Sequence, residues 1–139
     1  MSQPDETTVS FRLTGDLLDP AAITEATGIT PKASHRAGDL RPDTKRGTLP
    51  PWTSGLWRIS SEPGVSQTAT LEEHLVHLLD RLEPVREPLL ALAAEQQLEV
   101  DFFCGYFMHR GNSWWELTPR TLARVARLDA RLGFDVYGQ

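Results

Sequence analysis

The first hydrophobic positions of the chain alternate with polar ones. Val9, Phe11 and Leu13 are separated by single polar residues, and this period of two predicts a half-buried strand. Asp19 followed by Pro20 is typical of a helix start, with an N-cap and a proline at the first helical position. We expect this short helix to end near residue 27.

The pattern then changes from a loop to a long helix. Residues 31–55 are rich in proline and glycine, which predicts mostly loop with a short strand near 34–38, and the stretch 55–61 predicts a strand. Thr70 and Glu73 match a capping box, and the leucines that follow fall on one helical stripe. These leucines are Leu71, Leu75, Leu78, Leu79 and Leu82. Pro84 and Pro88 predict a break before a second helical segment over 85–97.

The last third of the chain begins with its most apolar stretch. Residues 98–108 are apolar on both faces, which predicts a central strand. A hairpin-like turn at 109–112 leads to a predicted strand over 113–117. Thr118 and Pro119 predict another helix start, and Phe134, Val136 and Tyr137 predict a final strand.

Together these elements predict the α+β class. We expect a mixed, mostly antiparallel sheet with the helices packed on one face. Its core would have the ferredoxin-like order βαββαβ, extended by a further βαβ unit. Residues 1–7 form a predicted disordered tail, and residues 8–139 form a single α+β domain.

Composition narrows the possible partners. The chain has 139 residues and a formal net charge of -5, whereas binding to nucleic acid requires clustered lysine and arginine. Its N-terminal stretch is polar and acidic, unlike a secretory signal, and no apolar run approaches the length that spans a bilayer. We therefore expect a cytoplasmic protein that binds neither nucleic acid nor membrane.

Short motifs along most of the chain resemble a bacterial family of unknown function, domain-of-unknown-function family 4279. They are Val9-Ser10-Phe11, Thr14-Gly15, Asp19-Pro20, Ile23-Thr24, Gly28, Pro31, Gly38-Asp39, Gly55-Leu56-Trp57, Leu71-Glu72-Glu73-His74-Leu75, Leu82, Pro84, Leu117-Thr118-Pro119, Leu122 and Gly133-Phe134-Asp135-Val136-Tyr137. The resemblance implies a small bacterial α+β protein. It implies no activity, cofactor or catalytic residue.

Tryptophan is the most informative residue type for binding. Trp114 and Trp115 are adjacent on a predicted strand, so their side chains would point to opposite faces. One would pack against the helices beside Trp57, and the other would face outward or into a partner. An outward tryptophan near arginine and carboxylates is typical of a recognition surface.

Charged residues on the predicted strands have two interpretations. The carboxylates Asp101, Glu116 and Asp135 would either run acid–base chemistry or form ion pairs with Arg12 and Arg58 on the open sheet face. We favour ion pairing, because structural ion pairs are common on sheets.

A second group of candidate residues lies in and around the predicted loop. His35, Asp39 and Trp52 would border the recognition surface, since loops on a rigid scaffold often carry binding groups. Asp39 also has a structural interpretation, as a turn residue whose side chain bonds the backbone. Asp135 and Tyr137 would either line a site or fasten the C-terminus.

Metal and nucleophile chemistry have weak support. His74 and His77 are three residues apart on the long helix, a spacing that brings two imidazoles near one metal, but no third ligand is evident. Cys104 lies in the most apolar strand, where a thiol is typically a small buried hydrophobic group. We expect no metal and no cofactor.

These observations predict a non-catalytic binding module. It would use the open sheet face to hold a protein partner or a second copy of itself as a homodimer, and an immunity-like protein that blocks a basic partner is one subtype. The alternative is a small-molecule binding protein or hydrolytic enzyme with a pocket between the sheet face and the 38–52 loop. In that case His35, Asp39 and Glu116 would supply its polar groups.

Overall fold

Five strands form one mixed sheet in the computed structural model, which describes residues 3–138. The strands are β1 (Glu6–Gly15), β2 (Ala33–His35), β3 (Gly55–Ser60), β4 (Glu99–Phe107) and β5 (Arg131–Tyr137). Their spatial order is β2-β3-β1-β4-β5. The β4–β5 pair is parallel, and the other neighbours are antiparallel.

Four α-helices occur in the described residues: α1 (Pro20–Thr27), α2 (Leu71–Leu82), α3 (Arg86–Glu95) and α4 (Pro119–Arg127). A 3₁₀ turn over Glu83–Val85 separates α2 from α3, which confirms the break predicted from the prolines. None of these helices combines the length and hydrophobicity needed to cross a bilayer.

The helix starts follow the local sequence. Asp19 caps α1 by accepting a hydrogen bond from the Ala22 N–H, and Gly28 ends the helix at φ 69°. In α2 the Thr70 hydroxyl accepts from the Glu73 N–H, and the Glu73 carboxylate accepts from the Thr70 N–H. These two bonds satisfy free amides at the helix start, so the predicted capping box is confirmed.

The core lies between one face of the sheet and the helices. Every second side chain of β1, including Val9, Phe11 and Leu13, is completely buried, and the intervening residues are half-buried. Phe11 packs against Phe102 of β4 with ring centroids 5.1 Å apart. Trp57 is buried as predicted, and its indole N–H donates to the Thr24 hydroxyl at 3.1 Å. Within residues 3–138 no helix packs on the opposite face, where Thr8, Ser10, Arg12 and Thr14 of β1 are only half-buried.

The α+β class with a mixed sheet is confirmed, but the predicted βαβ extension is wrong in its first strand. Residues 113–117 belong to no strand of the described chain. The physical reason is that β4 already pairs with β1 on one side and β5 on the other, so no position beside β4 remains for this segment. The ferredoxin-like name for the core order stays a prediction.

The boundary of the predicted tail also differs from the structure. Glu6 and Thr7 belong to β1, because their backbone pairs with Phe107 and Tyr106 at the end of β4. Met1 and Ser2 of the predicted tail lie outside the described residues.

Candidate functional site

Aromatic side chains collect where β4 and β5 end, and we call this group the aromatic corner. It consists of Tyr106, Phe107, Trp114, Trp115, Phe134 and Tyr137. On the open face of the sheet, the rings of Phe107 and Tyr137 stack with centroids 5.0 Å apart and an interplanar angle of 7°. Both rings remain partly exposed, so the stack forms a flat apolar surface.

The aromatic corner continues on the helix face. Trp115 stacks on Tyr106 with centroids 4.6 Å apart and contacts Phe134 at a tilt, with centroids 6.2 Å apart. Phe134 is 44% exposed and the neighbouring Val136 is 43% exposed. The edge strand β5 therefore presents apolar side chains on both faces of the sheet.

The backbone of β5 is also free along its outer side. The Met108 N–H donates to the Tyr137 carbonyl at 2.7 Å, so the backbone groups of Tyr137 face inward across the β4–β5 ladder. Since backbone groups alternate sides along a strand, those of Leu132, Phe134 and Val136 point away from β4. Within the described residues no strand pairs with this side of β5. An edge of this kind is a template for strand addition.

Asp5 holds the loop that carries the tryptophans. Its side chain is 8% exposed and accepts hydrogen bonds from the Ser113 hydroxyl, the His109 N–H and the Tyr106 hydroxyl. The bonds from Ser113 and His109 hold the pKa of the Asp5 carboxyl below its ordinary value, and burial opposes them only in part. Asp5 therefore fastens the first half of the β4–α4 loop to the start of β1.

The second half of the same loop is fastened to α2. The Glu72 carboxylate accepts from the Thr118 N–H at 2.6 Å, and this bond lowers the pKa of Glu72. With both ends of the loop held, Trp114 is displayed outward and is 81% exposed.

A cavity of about 360 Å³ lies between this loop, the start of α2 and the start of β1. Polar residues on its wall include Asp5, Glu72, Arg110 and Glu116, and Trp114 and Trp115 supply aromatic surface. The Arg110 guanidinium lies 3.9 Å from the Asp5 carboxylate. This mixture of one cation, carboxylates and indole rings suits a small polar ligand.

As predicted, one of the two tryptophans packs toward the helix face and the other points outward. Trp115 stacks on Tyr106, Trp114 is exposed, and both line the cavity together with the exposed Glu116. The predicted strand that would carry them is wrong, because 113–117 is not in the sheet.

Arg12 and Arg58 do lie on the open face, as cross-strand neighbours. Arg12 forms a bidentate pair with Asp101, at 3.0 Å from Nε to Oδ1 and 2.6 Å from Nη2 to Oδ2. Its guanidinium also lies 4.6 Å from the Phe103 ring centroid. The predicted ion pairing is confirmed for Arg12 and Asp101, whereas Arg58 donates to the Ser10 hydroxyl at 3.3 Å.

The loop residues of the prediction gather at the other edge of the sheet. The rings of His35 and Trp52 stack with centroids 3.9 Å apart, and the Arg41 guanidinium lies 4.3 Å from the Trp52 centroid. The Asp39 carboxylate accepts from the Arg36 N–H at 2.7 Å, which confirms the turn interpretation of Asp39. These side chains contact one another, and they lie across the sheet from the aromatic corner.

Asp135 and Tyr137 contact each other on the open face. The Tyr137 hydroxyl donates to the Asp135 carboxylate at 2.5 Å, and this bond raises the pKa of Tyr137. They are the two predicted site residues within β5. Whether any of the ten predicted residues contacts a ligand stays a prediction.

Cys104 and His74, two further side chains capable of chemistry, are buried. Burial raises the pKa of the Cys104 thiol to about 12, so the thiol is an inert core group. His74, one of the two histidines considered for a metal, is completely buried, and its Nδ1 lies 2.7 Å from the Ser61 hydroxyl. Burial lowers its pKa. Within residues 3–138 no group of three or more metal-ligating side chains is arranged to hold an ion.

Sequence reasoning missed Asp5, Phe107, Phe134 and Val136 as site residues. Phe134 and Val136 carried a usable signal, since they are alternating apolar residues of a predicted strand, which stay exposed when the strand lies at a sheet edge. Asp5 carried none, because its partners lie about 100 residues away along the chain.

The family follows from comparison with known proteins. A match to the family described as domain of unknown function (DUF4279) covers residues 5–139. The chain belongs to the DUF4279 family. Comparison with curated proteins and with solved structures found no match. In this DUF4279 protein the matched region includes Asp5, the β4–α4 loop and β5, so the aromatic corner lies entirely inside the family domain.

Proposed function

We propose that this DUF4279 protein is a non-catalytic binding module that receives an extended protein segment along the free edge of β5. The observation that carries the proposal is the combination of outward backbone groups and exposed apolar side chains on one strand. In strand addition the main-chain bonds provide affinity, and side-chain contacts on alternate faces provide selectivity.

The composition of the corner supports this role. Aromatic residues are enriched at protein interfaces because they bury a large area with few rotatable bonds. Trp114, Phe134 and Tyr137 present such side chains at fixed positions, since the strand and the fastened loop hold them. If the segment comes from a different protein, the net charge of -5 favours a basic partner in the cytoplasm, as an immunity-like protein would have.

A capture experiment tests the proposal. A tagged protein is incubated with lysate of its source organism, and the captured proteins are quantified by mass spectrometry. Val136→Lys places a charge on the apolar edge and should reduce capture of the partner by about tenfold or more. Ser34→Lys is the matched control, because Ser34 is an exposed residue of the other edge strand, β2, and it should leave capture unchanged.

Equal loss of capture in both variants, or no loss in either, would show that the partner does not bind at the β5 edge. Circular dichroism and urea unfolding of both variants show that the comparison is made between folded proteins. Capture of an untagged copy of the same chain counts as partner capture in this experiment.

A second candidate function rests on the cavity beside Trp114. Its volume of about 360 Å³ and its polar wall suit a small-molecule ligand, at a different place from the predicted 38–52 pocket. A thermal-shift screen against a metabolite library tests this function, with Arg110→Ala as the variant. A compound that stabilises the parent protein but not the variant would support it, and a screen without such a compound would count against it.

A further inference from the structure

We infer that the segment received by β5 is the β5 strand of a second copy, paired antiparallel about a two-fold axis at Phe134. The inference rests on the proposed function and names its partner. The resulting dimer would have one continuous sheet, with the helices of both copies on the same face.

The backbone of β5 fits this pairing. The outward N–H and C=O groups belong to Leu132, Phe134 and Val136, which are spaced symmetrically about Phe134. In the antiparallel register Phe134 faces the partner's Phe134, and Leu132 faces the partner's Val136. Every outward backbone group of β5 then has a hydrogen-bond partner, as in a regular antiparallel ladder.

The side chains on the helix face are self-complementary in the same register. Phe134 is placed directly opposite the partner's Phe134, and aromatic pairs opposite each other stabilise antiparallel strands. Val136 and the partner's Leu132 form an aliphatic pair on either side. Both Phe134 and Val136 are partly exposed in the single chain, so this pairing covers apolar surface that water otherwise contacts.

The charges on the open face are complementary as well. Arg131 is opposite the partner's Tyr137 and diagonal to the partner's Asp135, so a cation meets an aromatic ring and a carboxylate. Among the described residues of one chain Arg131 pairs only with Glu99, at 3.0 Å, and both side chains are about 70% exposed. Such an exposed pair is weak, so it leaves Arg131 free to contact the partner. Asp135 is opposite the partner's Gly133, which has no side chain to collide with it.

The two neighbouring registers of the β5 pairing are less favourable. A two-fold axis at Asp135 would place two carboxylates directly opposite each other, which is destabilising. An axis at Gly133 would extend the pairing to Asp129, whose φ of 53° is incompatible with an extended strand. The axis at Phe134 pairs the whole of β5, from Arg131 to Tyr137.

Disulfide trapping tests the register. In the proposed dimer the two Phe134 Cα atoms are about 5.5 Å apart, within the range for a disulfide. Phe134→Cys should therefore form a covalent dimer under mild oxidation. Leu132→Cys is the matched control, because its two Cα atoms would be about 13 Å apart along the paired strands, and it should stay uncrosslinked. Cys104 does not interfere, since its thiol is buried.

Sedimentation equilibrium on the unmodified protein tests the dimer itself, from low micromolar to several hundred micromolar. We expect the dimer to have a dissociation constant on the order of micromolar, as for a small interface. Val136→Lys should raise this dissociation constant by about tenfold or more. Ser34→Lys should dimerise like the parent protein. This measurement also decides the matter if Phe134→Cys fails to fold.

A protein that stays monomeric over this range would overturn the second copy as partner. So would crosslinking through Leu132→Cys, or a dimer that Val136→Lys leaves intact. Failure of the proposed function gives a different result. In that case Val136→Lys captures as much partner protein from lysate as the parent protein does. A monomeric protein that still captures another protein through β5 would refute only the dimer.

Discussion

The two edge strands of the sheet, β2 and β5, differ in how far their free side is protected. β2 has only three residues, Ala33–His35, which are small or polar, and the ring of its last residue is stacked under Trp52 of the same chain. β5 has seven residues, and the rings and aliphatic groups around it remain exposed. Proteins ordinarily protect a free edge by shortening or covering it, and here only β2 is protected.

The difference teaches where an interface is to be expected. A long edge with apolar residues on both faces carries a risk of aggregation unless a partner covers it. The β2 edge uses its aromatic residue internally, through the layers of His35, Trp52 and Arg41. The β5 edge leaves its aromatic residues exposed, and for this reason we propose β5 rather than β2 as the binding edge.

The largest loss of stability is expected when the aromatic stack at the β2 edge is disrupted. Trp52→Ala removes the ring between His35 and Arg41, and we expect the free energy of unfolding to fall by about 2 kcal/mol, roughly half the loss for a fully buried tryptophan. Urea unfolding measures this change. Arg41→Ala, which removes only the outer cation, should cost about 0.5–1 kcal/mol. Equal costs for the two variants would show that the stack does not protect the β2 edge.

An intermediate loss of stability is expected when Asp5, which fastens the β4–α4 loop, is changed. Asp5→Asn removes the charge that accepts from Ser113 and His109 and should lower the free energy of unfolding by about 1–2 kcal/mol. Because the folded-state pKa of Asp5 lies below its ordinary value of 3.8, the carboxylate stabilises the fold fully above that pH. The stabilisation is lost as the pH falls through the folded-state pKa.

The measurement is urea unfolding of parent and variant from neutral pH down to acid pH. The difference between the two proteins should shrink as the pH drops below the ordinary value for an aspartate, and amide exchange in residues 108–113 should be faster in the variant at neutral pH. A difference that is independent of pH would show that Asp5 acts through shape alone.

The smallest effect is expected from Tyr137→Phe. This variant removes the hydroxyl that donates to Asp135 but keeps the ring stacked on Phe107, so stability should change by less than about 0.5 kcal/mol. Capture and dimerisation should also be unchanged. Tyr137→Ala, which removes the ring, should weaken both, and sedimentation equilibrium makes the comparison. If Tyr137→Phe instead weakens association, the hydroxyl rather than the ring contributes to the edge.

Local signals allowed most of the fold to be predicted. The alternation in β1, the capping box at Thr70 and Glu73, and the proline break after Leu82 depend on residues that are close along the chain, so periodicity and capping rules apply directly. The predicted strand at 113–117 failed for the opposite reason. The turn at 109–112 that suggested it is a local signal, but a strand also needs a partner strand, and β4 is already paired on both sides.

In the candidate site, too, features with a local signal could be predicted, whereas features that depend on distant segments could not. The sequence by itself determined that Trp57 is buried and that Arg12 can pair with a carboxylate on another strand, because period-two alternation assigns each strand residue to a face. It also determined that Tyr137 belongs to the final strand. The register of β1 and β4 selected Asp101 as the partner of Arg12. Only the tertiary structure decided that β5 is a free edge, that Asp5 fastens the loop of Trp114, and that Trp52 stacks on His35. These contacts join segments that are distant in sequence, and their formation depends on strand order, which no local pattern encodes.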